Sequence, residues 1–158
     1  MRDDHTDQAD GGENSRLDLE HFLPYRLSVL SNLASSAIAS IYAERYALSM
    51  TEWRVLAVIG PSPGLTASEV VERTAMDKVA VSRAVDRLVK SQRLSRHSDR
   101  EDRRRSRLRL TRQGRAVYAE VVPAALALEQ RLLATLGAED RLELDRLLKL
   151  LSEAAQQL

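Results

Sequence analysis

Five side chains between positions 78 and 87 have the types and spacing that suit contacts with DNA bases. Lys78, Val79, Ser82, Arg83 and Arg87 recur at separations that share one side of a helix. Basic groups donate to guanine N7 and O6, an aliphatic side chain contacts the thymine methyl group, and a hydroxyl serves bases or phosphate. We therefore expect these residues to lie in a major groove, with Arg87, farthest from the helix start, on a phosphate.

A charged run over residues 99–105 adds a second candidate contact. The residues that we expect to take part are Arg100, Asp102, Arg103 and Arg104. Aspartates in the run can pair with neighbouring arginines and hold a turn, which leaves the other guanidinium groups pointing outward. An arginine on such a thin loop matches the negative potential of a narrow minor groove. The alternative is a charged loop that contacts nothing.

Charge is distributed unevenly along the chain. Residues 78–115 contain 14 of the 24 Lys and Arg side chains and four acids, so this segment carries +10, the rest of the chain −9, and the whole +1. A concentrated basic surface on an otherwise acidic chain is typical of polyanion binders, most often binders of nucleic acid.

Helix start signals predict that the five candidate base-contacting residues, from Lys78 to Arg87, lie on a helix-turn-helix. Thr66 and Glu69 have capping-box spacing, and Thr66 and Ser68 lie at a helix start, where free N–H groups favour phosphate. After a short turn, Asp77 is the predicted N-cap of a third helix, whose apolar residues form a stripe opposite the basic ones. Two short helices joined by a turn form a helix-turn-helix.

A change of the apolar spacing from helical to alternating predicts that the charged run over residues 99–105 connects the two strands of a β-hairpin. Residues 106–110 alternate leucine with arginine and can pair with residues 94–97 across the run. Thr111 then caps a long helix that ends at Gly137, and a last, leucine-rich helix covers 139–156.

The predicted fold is mainly α with a small β-hairpin wing. We expect a disordered acidic tail over 1–15, a winged helix-turn-helix DNA-binding domain over 47–111, and a helical dimerisation region formed by 16–46 and 112–158. The apolar faces of the outer helices exceed what a small DNA-binding core can cover. The expected interface leucines are Leu126, Leu132, Leu133, Leu136, Leu147 and Leu151. The alternative is a monomeric helical bundle.

Composition and spacing disfavour several other classes of protein. The chain has no cysteine for thiol chemistry, and His5, His21 and His97 are too scattered to predict a metal site. Neither a catalytic Ser/His/Asp arrangement nor a glycine-rich phosphate loop is present, so we expect no enzyme activity and no cofactor. No apolar run reaches the roughly 20 residues of a membrane span, and the N-terminus does not resemble a signal peptide. We expect a cytoplasmic protein without a membrane partner.

The sequence resembles the MarR family of winged helix-turn-helix transcriptional regulators over about residues 17–155. The matching stretches are Leu48–Leu56, Leu65–Val71, Val81–Leu88, Asp99-x-x-Asp102-x-Arg104 and Leu110-Thr111-x-x-Gly114. The resemblance implies a homodimer with intertwined terminal helices, two recognition helices in successive major grooves and two wings in minor grooves. A near-palindromic operator with half-sites about one helical turn apart would follow. By position, the resemblance assigns the wing pair to Asp102 and Arg104.

The resemblance also implies that a small molecule releases the protein from DNA, usually with repression as the starting state. The candidate effector-binding residues are His21, Tyr25, Arg26, Ser28, Trp53 and Arg54. Aromatic rings next to a cation suit an aromatic acid or a phenol. The stretch 22–27 also resembles regulators of aromatic-acid catabolism, some of which sense an aromatic acyl-CoA. The alternatives are a core position for Trp53 and ion pairs for Arg26 and Arg54.

Two other functions remain open at this point. A constitutive DNA-architectural protein would bind many sequences alike, with a steep salt dependence and no ligand. An RNA-binding winged helix is disfavoured because the chain has few aromatic residues to stack on unpaired bases.

Overall fold

The computed structural model describes residues 16–98 and 106–158, and these residues form six helices and one two-stranded sheet. The order is α1 (Leu23–Tyr46), α2 (Met50–Ile59), α3 (Ala67–Thr74), α4 (Lys78–Lys90), β1 (Leu94–Ser98), β2 (Ser106–Leu110), α5 (Arg112–Leu133) and α6 (Ala138–Ala155). The predicted mainly α fold with a β-hairpin wing is confirmed. The tail 1–15, predicted to be disordered, lies outside the described residues.

The chain divides into two compact units, one that ends at Ala34 and one that covers Ser35–Leu158. The second unit contains the hydrophobic core, which runs from Tyr42 at the end of α1 to Val121 in α5. Its fully buried members come from α1, α2, α3, α4, both strands and α5, and include Leu56, Val70, Val85, Leu94 and Leu108. Such close packing fixes α3, α4 and the hairpin relative to one another.

Local capping bonds explain where α2 and α3 begin. The Ser49 hydroxyl accepts a hydrogen bond from the Glu52 amide at 3.2 Å, and the Glu52 carboxylate accepts one from the Ser49 amide at 2.8 Å. Thr66 and Glu69 make the same reciprocal pair at 3.3 and 2.6 Å. The capping box predicted at the start of α3 is therefore present. It satisfies two backbone amides at the start of the helix within four residues.

Local features explain where α1 begins and why the predicted end of α5 was wrong. The first helix begins at Leu23, after a turn over residues 19–21, because Pro24 has no amide proton and is accepted only in a first turn. Helix α5 ends at Leu133, where Ala134 and Leu136 donate to carbonyls three residues back. Gly137 does not end α5. It is the N-cap of α6, and its amide donates to the Asp140 carboxylate at 3.2 Å.

The hairpin is antiparallel, with Leu94 opposite Leu110 and Ser98 opposite Ser106. A third segment extends it: the Leu108 amide donates to the Leu65 carbonyl at 2.8 Å, and the Gly64 amide donates to the Leu108 carbonyl at 2.8 Å. Gly64 has φ +95°, a left-handed conformation that side-chain-bearing residues rarely adopt. The loop between α2 and α3 is thereby bound to β2.

The turn between α4 and β1 is held against two other elements. Its residue Arg93 accepts a hydrogen bond from the Thr111 amide at 3.1 Å, and its guanidinium donates to the Tyr46 carbonyl at 2.5 Å. Gly114 in α5 packs so closely that a Cβ there would lie 2.0 Å from the Arg93 carbonyl oxygen. These contacts join the C-terminal end of α4 to α1 and α5.

Helices α5 and α6 are mostly exposed, and α6 contains no buried residue. Neither of them, nor any other single helix in the described part of the chain, is long and apolar enough to cross a membrane. Only the two together pass that test of length and composition, across a bend of 110°.

Candidate nucleic-acid interface

Helix α4 is divided into a buried side and an exposed side. The Asp77 carboxylate accepts a hydrogen bond from the Ala80 amide at 2.9 Å, which confirms the predicted N-cap. Val81, Ala84, Val85 and Leu88 face the core. The five residues predicted to contact DNA are all exposed on the other side: Lys78, Val79, Ser82, Arg83 and Arg87. Val79 is 55% exposed, which is unusual for a valine in a helix next to a core and leaves its methyl groups free for contact.

A shallow groove brings α3 and α4 together. Its volume is about 260 Å³, and Ser68 of α3 lines it beside Lys78 and Ser82 of α4. Three of the residues predicted from separate motifs therefore lie on one continuous surface.

Thr66, predicted to contact phosphate, already has hydrogen-bond partners. Its hydroxyl donates to the Glu69 carboxylate at 2.9 Å, and its amide donates to the same carboxylate at 2.6 Å. These hydrogen bonds lower the pKa of Glu69, with a smaller contribution from Arg107 and Arg73. A phosphate at this helix end would lie beside a carboxylate, so Ser68, whose side chain is exposed, is the better placed of the two.

The hairpin strands carry the wing on a well-anchored base. Arg96 of β1 donates to the Asp86 carboxylate of α4 at 2.6 Å, and Arg107 of β2 donates to the Gly64 carbonyl at 3.1 Å. These contacts tie β1 to α4 and β2 to the loop before α3. The wing tip, with Arg100, Asp102, Arg103 and Arg104, lies outside the described residues.

The predicted effector residues have varied environments. Tyr25, Arg26 and Ser28 are exposed on α1, whereas His21 lies in the preceding turn with Nδ1 2.7 Å from an Asp18 carboxylate oxygen. His21 therefore does not share a helix with Tyr25 and Ser28, because α1 begins after His21.

Trp53 of α2 belongs to a buried aromatic cluster. Trp53 is 8% exposed. Its ring centroid lies 5.5 Å from that of Tyr42 and 6.3 Å from that of Tyr118. Arg54 donates to the Ser35 hydroxyl at 3.1 Å. Burial raises the pKa of Tyr42, and the positive charge of Arg54 opposes part of that rise.

The comparisons with known proteins agree with this geometry. A sequence model of the MarR family matches residues 48–105, the segment that contains α2, the helix-turn-helix and β1. A MarR/EmrR-family regulator from Acinetobacter sp. ADP1 superposes with a TM-score of 0.82 at 24% identity, over 90% of this chain and 100% of that one. Over this segment the chain is similar in sequence to the MarR family, and it has the same fold as this regulator.

Two further MarR-type structures are similar over nearly their full length. PcaV of Streptomyces coelicolor, in complex with its natural ligand, has a TM-score of 0.75 at 26% identity, covering 89% of this chain and 99% of PcaV. BpsR of Bordetella bronchiseptica, whose DNA binding is regulated by 6-hydroxynicotinic acid, has a TM-score of 0.75 at 23% identity, covering 87% and 97%. No curated protein sequence matches significantly.

The proteins of the MarR family share a general class of function. MarR-family proteins are transcriptional regulators, not enzymes, and they bind DNA and small molecules and act as dimers. Within residues 16–98 and 106–158, no group of three or more metal-ligating side chains that could hold a metal ion is found.

Sequence reasoning missed two arginines whose hydrogen bonds join distant elements of the fold. Arg93 and Arg96 counted only toward the basic charge, yet one joins the end of α4 to α1 and the other joins the wing to α4. No local pattern marks them, because their partners are 47 and 10 residues away.

Proposed function

We propose that this chain is a ligand-responsive transcriptional repressor that binds a near-palindromic operator as a homodimer. The observation that carries the proposal is the exposed basic side of α4 opposite its buried stripe. Lys78 and Arg83 donate to guanines, Val79 contacts a thymine methyl group, and Ser82 contacts a base or a phosphate. Arg87 binds a phosphate, as does Ser68 at the start of α3, where Thr66 is the less favourably placed candidate because its donors bond to Glu69.

The wing contributes the minor-groove contact in this proposal. Arg104 enters the groove, Arg100 and Arg103 add positive charge, and Asp102 pairs with a neighbouring arginine to hold the tip. Support comes from the hairpin strands that carry the run and from the ion pair of Arg96 with Asp86. That ion pair connects the base of the wing to α4.

Homodimer formation covers the exposed apolar faces of the terminal helices. In α6, the exposed fraction is 42% for Leu147 and 41% for Leu151, and none of its leucines is buried. In α5, Leu126 is 53% exposed and Leu132 is 52% exposed. A large exposed apolar surface on a single chain is typical of a protein–protein interface. The expected interface therefore includes both helices, with Leu133 and Leu136, which are half-buried, beside them.

The effector in this proposal is a small aromatic compound: an aromatic acid, a phenol or an aromatic acyl-CoA. Its ring would contact the aromatic cluster around Trp53, and Arg54 would bind its carboxylate. The other candidates, His21, Tyr25, Arg26 and Ser28, lie in the unit that ends at Ala34. The resemblance to PcaV, which binds a natural ligand, supports a small-molecule response.

A gel-shift assay tests the proposal. A palindromic fragment from upstream of the protein's own gene should be retarded, and hydroxybenzoates, cinnamates or their CoA thioesters should release it. A scrambled fragment of equal length and composition is the control. Sequence-specific binding that no compound reverses would remove the effector from the proposal. Equal binding to both fragments, with a steep salt dependence and no release, would instead identify a constitutive architectural protein.

A further inference from the structure

A second concave surface lies behind the wing, on residues that the proposed DNA contacts and the proposed effector site do not use. It is a cleft of about 450 Å³ between the hairpin, the loop after α2 and the first turn of α5. Ligand-binding pockets have volumes of about 300–1,000 Å³, so the cleft is large enough for a small molecule. None of its described lining residues belongs to α3 or α4.

The polar side of this cleft is cationic. The guanidinium groups of Arg109 and Arg115 and the imidazole of His97 line it, and none of the described lining residues is an acid. Arg115 uses one N–H group to donate to the Leu110 carbonyl at 2.8 Å. The Arg109 guanidinium makes no hydrogen bond or ion pair with the described residues, so its donors are available to an anion.

Hydrogen bonds hold the polar groups in position along the hairpin. His97 Nε2 lies 3.0 Å from Ser95 Oγ, and the Ser95 hydroxyl donates to the Arg109 carbonyl at 3.3 Å. Ser95 and Arg109 are directly opposite each other in the register. The imidazole of His97 is thus bonded to the side chain of Ser95, the residue opposite Arg109, and this bond preorganises the imidazole beside Arg109.

The other side of the cleft is apolar. Pro63 is exposed and gives the accessible apolar surface, Leu110 is 8% exposed, and Ile59, which also lines the cleft, is fully buried. A guanidinium pair binds a carboxylate through charge-assisted hydrogen bonds, and an apolar wall accepts a ring or an aliphatic body. A bare phosphate would leave that wall without a contact.

We propose that the cleft formed by Arg109, Arg115, His97, Ile59 and Leu110 binds a small organic carboxylate about the size of benzoate. The carboxylate lies between the two guanidinium groups, and the apolar body lies on Pro63 and the exposed part of Leu110. The site does not depend on the proposed effector site, with which it shares no residue.

Nuclear magnetic resonance of the His97 ring in the full chain tests this proposal at the site itself. Benzoate should shift the ring resonance in a saturable manner, and benzamide, a neutral compound of the same shape, should bind at least about tenfold more weakly, because it cannot form charge-assisted hydrogen bonds. The resonance is assigned with His97→Gln. Absence of a saturable shift, or equal binding of benzoate and inorganic phosphate, would overturn the proposal.

Three arginine variants locate the binding. Arg109→Gln removes a guanidinium that has no partner within the described residues, so folding should be unaffected and benzoate affinity should fall about tenfold or more. Arg115→Gln should have a similar effect, and Arg112→Gln, exposed on the same turn of α5 but outside the cleft, is the matched control. Unchanged benzoate binding in Arg109→Gln and Arg115→Gln would contradict the assignment.

Binding measurements with DNA distinguish a cleft that binds a small carboxylate from one that binds a phosphate of the DNA backbone. In anisotropy titrations with an operator duplex over a range of salt concentrations, Arg109→Gln should have the same salt slope as Arg112→Gln. A slope that is lower by about one in Arg109→Gln alone would show that this cleft holds a DNA phosphate, and the proposal would fail.

Discussion

At the scale of single residues, the two arginines on the exposed side of α4 have different expected roles. Arg83 lies in the second turn of the helix and Arg87 one turn later. Arg83→Ala should cost about 1–3 kcal/mol of binding free energy and relax base preference at one operator position. Arg87→Ala should weaken binding to all sequences alike and lower the salt slope by about one. Binding measurements on operators with single base changes distinguish the two, and an unchanged base preference in Arg83→Ala would contradict its role.

Also at the residue scale, Glu69 links stability to pH. Hydrogen bonds from Thr66 hold the pKa of Glu69 below its ordinary value of 4.5. A lowered folded-state pKa stabilises the protein above the ordinary value, and this stabilisation is lost as pH falls through the folded-state pKa. Glu69→Gln keeps a hydrogen-bond acceptor but cannot titrate.

We therefore expect wild type to be more stable than Glu69→Gln at pH 7 and the difference to shrink as pH falls below about 4.5. Urea unfolding at several pH values measures it. Glu72→Gln, on the same helix, subtracts the general effect of removing one negative charge from α3. A difference that stays constant with pH would show that the capping carboxylate does not contribute in this way.

At the scale of elements, α5 approaches the turn after α4 very closely. A Cβ at Gly114 would lie 2.0 Å from the Arg93 carbonyl oxygen, which is backbone and cannot rotate away. Gly114→Ala should therefore destabilise the fold by about 2–4 kcal/mol. Gln113→Ala, one residue earlier and exposed, should change stability by less than about 0.5 kcal/mol. Chemical denaturation measures both, and equal stabilities would disprove the contact.

At the scale of the whole molecule, the exposed leucines of α6 predict that the folded chain pairs with a second copy. Leu147→Glu with Leu151→Glu puts two charges on one side of α6 and should convert the dimer to a monomer that binds the operator at least about tenfold more weakly. Lys149→Glu makes the same net change in charge on the opposite side of the helix and is the matched control. Sedimentation measures the mass, and a wild-type chain that sediments as a monomer yet binds with full affinity would contradict the prediction.

Much of the helix-turn-helix could be predicted from the sequence because its signals are local. The capping residues Thr66 and Asp77 bond to amides three residues ahead, and both were identified from spacing alone. The alternation of leucine and arginine in residues 106–110 likewise predicted β2. Where a local signal was misleading, as at Gly137, the error was a matter of a few residues, because glycine suits both ends of a helix.

The sequence by itself determined the order and type of the elements, the side of α4 that carries the basic residues, and the uneven charge, because each depends on neighbours within one or two helical turns. Only the tertiary structure decided the hydrogen bond from Arg93 to Tyr46, the pairing of Leu65 with Leu108, and the position of Arg109 and Arg115 on the lining of one cleft. Contacts between residues so far apart form only when the core closes, and core packing depends on side-chain shape in three dimensions, which periodicity does not specify.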